Sequence, residues 1–196
     1  MPFVSRALLA CVFVPLSTMA APTTYVMDPL HSFPNFTVNH LGMTTIHGRF
    51  DKMVGKIVLD QAAKTGSIEA KITTASVNTG DAKHADGTRA RDEHLRTADF
   101  FNSSEFPEMV YKSTKFNFNG DVLESVDGNL TLVGVTKPVK LTVVAFKCAP
   151  HPFSKKPMCG ADAEASVKRT DFGVKFGVPA ISDDVKLTFS IEAYPE

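Results

Sequence analysis

The sequence predicts an all-β protein: an eight-stranded antiparallel barrel with one short helix near its mouth. Three observations carry this. Apolar and polar residues alternate with a period of two in run after run, the spacing of half-buried strands. The gaps between runs are short and rich in Gly, Asn, Asp and Pro, which suits hairpins and not parallel crossovers. Two stretches break the alternation, and one of them, Thr88 to Phe101, has the composition of a short polar helix. A meander of this size avoids open edges most simply by closing on itself.

In chain order, MPFVSRALLACVFVPLSTMAAPTTY has the plan of a secretory leader. Arg6 precedes an apolar run from Ala7 to Leu16 that is too short to span a bilayer, and small residues end at Ala20. Cleavage after Ala20 gives a signal peptide, residues 1–20, and one domain, residues 21–196. A second reading takes LLAC as a lipoprotein signal with Cys11 modified, although few apolar residues precede it. Both readings export the chain. Loss of Arg6 leaves one more acidic than basic residue, so the mature chain offers no electrostatic footprint for nucleic acid.

The strand runs carry Phe36, Val38 and His40; Ile57 and Leu59; Ile68, Ala70 and Ile72; Phe116 and Phe118; Leu130 and Leu132; Val139, Leu141 and Val143; and Leu187, Phe189 and Ile191. QAAKTGS, NFNGD, SVDGN and GVTKP read as the turns between them. Pro34 suits an edge or a strand start. An eight-stranded barrel has an interior that side chains can fill or that one elongated ligand can occupy.

The segment from Asp86 to Arg96 reads as the helix, capped by Asp86 or Thr88 and supported by the Asp92 and Arg96 pair. Ala90 and Leu95 are almost its whole apolar content, so it cannot be held by burying a face and belongs across the barrel surface or its open end. Leu95, Phe100 and Phe101 then drop into the mouth beneath a polar rim of Arg91, Asp92 and His94, an arrangement suited to an amphiphile with a small head and a long tail. The alternative is that Phe100, Phe101 and Phe106 close the barrel bottom and the charges are a solvated face.

The second irregular stretch, CAPHPFSKKPMCG, places Cys148 and Cys159 close together in an exported chain, which predicts a disulfide closing a Pro-rich loop. The competing metal site, Cys148 with His151 and Cys159, has no obvious fourth ligand. A wider metal reading draws on His31, His40, His47, His84 and His94, with His40 and His47 facing each other across a bend at LGMTT; a strand histidine bonded to a neighbour is the commoner case. Catalysis would need His94 with Asp92 and Arg91, or His31 with Ser32, but residues two apart on a helix point in different directions and neither GxSxG nor HExxH occurs. The acceptor triplets at Asn35, Asn102 and Asn129 matter only in a eukaryotic secretory pathway.

Four motifs in order, NFTVNHLGMTTIHGRF, ARDEHLRTADFF, FPEMVYKSTKF and GNLTLVGVTKPVKL, closely resemble the YceI-like family of exported lipocalin-like proteins, from about Tyr25 to Ala193. The resemblance implies a periplasmic barrel whose tunnel holds a polyisoprenoid, an isoprenoid quinone or a similar amphiphile, with a pocket role for Arg91, Asp92, His94 and Leu95. The stretch GDAKHADGTRA is longer than the family's usual spacing, which bears on the helix start and the mouth.

The expectation is therefore a non-enzymatic periplasmic binder that sequesters or shuttles a long isoprenoid lipid, without cofactor, metal or nucleic-acid partner. Arg91, Asp92 and His94 take the head group. Phe36, Val38, Ile72, Leu95, Phe100, Phe118, Leu130 and Phe189 line the tail. A binder of fatty-acid-type amphiphiles and a ligand-free interaction protein stand as alternatives, and transient membrane contact and a homodimer stay open.

Overall fold

The computed structural model describes residues 21–196; the leader and Cys11 lie outside the described residues. Eleven strands follow in order: β1 (Thr23–Met27), β2 (Phe33–His40), β3 (Thr44–Phe50), β4 (Met53–Asp60), β5 (Thr65–Thr73), β6 (Val77–Asn78), β7 (Glu108–Asn119), β8 (Val122–Leu132), β9 (Val135–Pro150), β10 (Pro157–Lys168) and β11 (Ile181–Pro195). The helix α1 (Arg91–Leu95) sits between β6 and β7.

All pairings are antiparallel. Eight strands close the ring in the order β1, β4, β5, β7, β8, β9, β10, β11, and β11 returns to β1. The first wall strand is broken at Asp28–Ser32, so β11, paired with β10 on one edge, carries two partners on the other. Its end pairs with β1 (Tyr25 opposite Pro195) and its beginning with β2 (Val38 opposite Val185). Hairpin β2–β3 extends the wall at that second end, and Phe50 opposite Val77 attaches β6. Pro34 is the second residue of β2, near the strand start where a missing N–H costs least.

Three sequence expectations change. Two of the four turns change: of GVTKP only Gly134 lies in a turn, Val135 to Pro138 opening β9, and SVDGN is not a turn, since β8 runs through it and a Cβ on Gly128 would collide with the Tyr111 ring. Glycine there makes room for an aromatic on the neighbouring strand. The helix is shorter than Asp86 to Arg96, because Asp86 Oδ1 accepts from Thr88 N and Thr88 Oγ1 in a local turn. Asp81 supplies the helix start instead, its carboxylate accepting from Arg91 N at 3.1 Å and its carbonyl from Asp92 N at 3.0 Å. A third irregular stretch, from Arg169 to Ala180, also joins the two foreseen.

The end of the barrel away from α1 is solid. Met27, Leu59, Phe116, Leu123 and Val126 are buried there in one apolar cluster, and Ala193 is buried as well. Cys148 and Cys159 stand directly opposite each other on β9 and β10 and form a disulfide. A cross-link of this span is worth about 2–4 kcal/mol.

Candidate functional site

The other half of the barrel is hollow. A cavity of about 560 Å³ opens at the end where α1 lies, within the range of small-molecule sites. Its walls are alternate inward positions: Phe36 and Val38 on β2, Ile72 on β5, Met109 and Tyr111 on β7, Leu130 and Leu132 on β8, Val139 and Leu141 on β9, and Val185, Leu187 and Phe189 on β11. Below Phe189 and Tyr111 the inward positions belong to the packed core, so the cavity has a floor. Tyr111 lies flat across Gly128, and its hydroxyl donates to the carbonyls of Val126 (3.1 Å) and Val139 (3.3 Å). Burial pushes that hydroxyl far above the usual phenol range, which keeps it a neutral donor.

The segment 79–107 forms the roof. Leu95, Phe100 and Phe101 point into the cavity, and Phe101 meets Phe50 edge-on with ring centroids 5.2 Å apart. Arg96 ties the end of α1 to the wall by donating to the carbonyls of Ala75 (2.9 Å) and Val77 (3.1 Å). Thr74 Oγ1 fixes the far end of the roof through Phe106 O at 2.7 Å. Phe100 and Phe101 therefore cap the cavity rather than close the solid end of the barrel.

Arg91 and His94 line the opening, with Asp81 and Arg89 beside them. Arg91 Nε donates to Thr79 Oγ1 at 2.7 Å and Nη2 to Thr79 O at 3.2 Å; Nη1 has no protein acceptor among the described residues. His94 Nε2 hydrogen-bonds Asp99 at 2.7 Å while its ring packs edge-on against Phe100 and Phe176.

Asp92 faces away from the cavity. It is 1% exposed and accepts from Thr79 N at 2.9 Å and Thr79 Oγ1 at 2.6 Å, since two successive helical residues cannot share one face. It braces the segment that positions Arg91. Phe118 is likewise outside the cavity, two residues past Phe116 toward the solid end. The remaining tail positions, Phe36, Val38, Ile72, Leu95, Phe100, Leu130 and Phe189, all line it.

Arg169 is a cavity residue that period-two reading passes over. Nearly buried, it donates to the carbonyls of Ser182, Val174, Phe176 and Ile181 and so pins the connection between β10 and β11. Desolvation lowers its pKa from the usual guanidinium value. The repeated FGV of FGVKFGVP, two glycine-spaced phenylalanines between strands, is the sequence signal for this connection.

The other histidines are placed as neighbours of polar groups. His40 faces the cavity, whereas His47 is exposed on the opposite face of β3 and pairs with Thr37, so the two do not meet. His151 Nδ1 accepts from Phe153 N (3.2 Å) and Ser154 N (3.1 Å) beside the disulfide. His84 bridges Asp81 and Thr88. His31 bonds Asp28 at 2.8 Å with Glu192 nearby at the surface. Ser32 Oγ donates to Glu192 O and accepts from Glu192 N, stitching the β1–β2 break to β11.

Residues 25–193 match the model of the YceI-like domain. Protein YceI of Salmonella arizonae is 34% identical over 185 residues, covering 94% of this chain and 93% of that protein. Among solved structures, Burkholderia cenocepacia BcnA superposes with a TM-score of 0.67 at 22% identity, covering 85% of this chain and 98% of that one. A polyisoprenoid binding domain from Saccharophagus degradans, implicated in plant cell wall breakdown, gives 0.60 at 19% identity, covering 89% and 99%. At those identities the two structures speak to the fold alone. The match to the domain model over nearly all the described residues, with the curated relative, bears out the resemblance read from the four motifs: this chain belongs to the YceI-like family.

Proposed function

We propose that the protein is a periplasmic carrier or store for one long isoprenoid lipid, held tail-down in the barrel with its head at Arg91 and His94. The observation that carries this reading is the half-hollow barrel. A soluble fold of this size ordinarily fills its interior to near crystal density, yet here an apolar space of about 560 Å³ is kept beneath a polar opening. That the Saccharophagus protein of the same fold is a polyisoprenoid binding domain supports the choice of tail.

The cavity limits the tail. At ~30 Å³ per water-sized group, 560 Å³ takes roughly twenty carbons, about four isoprene units. Burying them contributes ~16 kcal/mol gross at ~0.8 kcal/mol per methylene, before the costs of association. The tail then supplies affinity, and the head group sets orientation. Arg91 Nη1 is the donor available to a head-group oxygen.

Titration with prenyl alcohols of two to six isoprene units tests this. Affinity rises with each unit to about four and then levels off. No uptake of any prenyl alcohol overturns the reading; preference for oleic acid over all of them moves it to a fatty-acid-type ligand.

A further inference from the structure

We propose that the mouth end of the barrel docks on a neutral phospholipid surface, inserting Leu41, Met43, Phe176 and Val178. This rests on the lipid-binding reading and adds the partner from which the ligand is exchanged.

Two loops form the patch. The β2–β3 turn exposes Leu41 (54%) and Met43 (83%), and the β10–β11 connection exposes Phe176 (46%) and Val178 (38%). They are one surface, because Leu41 N donates to Ala180 O at 2.7 Å and His40 pairs with Ile181. That surface is continuous with the cavity opening, which His40, Phe176 and Ile181 line. Across residues 39–47 and 172–181 there is no carboxylate, and Lys175 is the single permanent charge. The other exposed large apolar residues, such as Val54, Val122 and Phe153, lie on separate elements, where isolated exposure is ordinary.

The β2–β3 turn adds an independent sign. Leu41 and Gly42 both have positive φ, 58° and 69°. In the turn that Met43 N closes onto His40 O, both central residues have positive φ, a conformation that ordinarily takes Asn or Asp before Gly, and a leucine there bears a backbone cost. The turn thus holds an apolar side chain outward at the tip where a polar one would be more stable. A bilayer is the occupant that such a patch suits: the patch is weakly charged, it forms one rim of the opening of an apolar cavity across from Arg91 and His94, and a water-insoluble tail can pass between membrane and cavity without crossing water.

The chain has no tryptophan, so Met43→Trp and, at the opposite end, Phe153→Trp are clean single-site reporters. With phosphatidylcholine vesicles the Met43→Trp emission is expected to shift blue and that of Phe153→Trp to stay unchanged. The double variant Leu41→Asp and Met43→Asp is expected to lose vesicle partitioning by at least about a hundredfold, the effect of no longer burying two large apolar side chains. It keeps its affinity for geranylgeraniol added from dilute ethanol. Unshifted Met43→Trp emission with normal geranylgeraniol binding overturns the docking alone; no binding of geranylgeraniol overturns the lipid reading as well. A dimer that the double variant dissociates, with no vesicle binding, assigns the patch to a second copy and also overturns the docking.

Discussion

His94 of α1 stands edge-on to Phe176 of the β10–β11 connection, ring centroids 4.9 Å apart, and Phe100 completes the trio at 5.0 Å from His94 and 5.3 Å from Phe176. This is the point where the roof segment meets the opposite rim. Aromatic pairs of this geometry are worth about 0.5–1.5 kcal/mol each. Phe176→Ala is therefore expected to speed release of a bound prenyl alcohol by up to about tenfold per pair lost, measured by stopped-flow transfer to vesicles. Because Phe176 is half exposed, its urea midpoint should move little; an unchanged release rate contradicts a latch.

The floor sets a second expectation. Phe189 is the last cavity residue on β11 and stands opposite Ala163 on β10, so shortening it deepens the space. Phe189→Ala should move the prenyl length at which affinity levels off by about one isoprene unit, at a stability cost of up to ~3–5 kcal/mol. The prenyl alcohol titration reads the first and urea unfolding the second. An unmoved plateau would mean that tail length is limited elsewhere.

Asp92 and Arg91 are adjacent but act differently. Removing the Asp92 carboxylate leaves Thr79 N and Oγ1 without their buried acceptor, so Asp92→Ala is expected to destabilise by about 1–3 kcal/mol. Arg91→Met keeps the stem and removes the charge at the opening. It should alter discrimination between an alcohol and a phosphate head group by more than it alters stability, as competition binding and urea midpoints together would show.

The Asp28 and His31 pair gives a pH expectation with a defined sign. Hydrogen bonding to His31 holds the Asp28 carboxyl below its ordinary 3.8, and the same bond holds His31 above its ordinary 6.5. The Asp28 contribution is present above its unfolded value and fades as pH falls through the lowered folded one. The His31 contribution is present below its unfolded value and fades as pH rises through the raised folded one. The pair therefore supports the β1–β2 break most fully between about 3.8 and 6.5. A proton NMR titration should place the His31 midpoint above 6.5, and Asp28→Asn should bring it back toward that value.

Much of the wall was legible because inward residues such as Phe36, Val38, Ile72 and Leu130 keep strict alternation whatever lies across from them. The boundary between hollow and solid was not. Phe36 and Phe118 carry the same pattern, and only barrel closure decides that Phe36 meets open space and Phe118 the packed end. SVDGN misled because a glycine serving the neighbouring Tyr111 ring looks like a turn glycine in one dimension. Asp92 misled for a related reason: its charge suggested a head-group contact, whereas its partner is Thr79, thirteen residues earlier and brought beneath it by the fold. Arg169 and Phe176 were invisible to periodicity because they belong to an irregular connection whose form is fixed by side-chain donation to four carbonyls.

Native mass spectrometry of the protein purified from its own host, followed by organic extraction, reads directly whether the barrel carries an isoprenoid chain. One prenyl chain per protein is expected, lost on extraction and regained when geranylgeraniol is added. A bare protein mass that takes up neither geranylgeraniol nor oleic acid would contradict it.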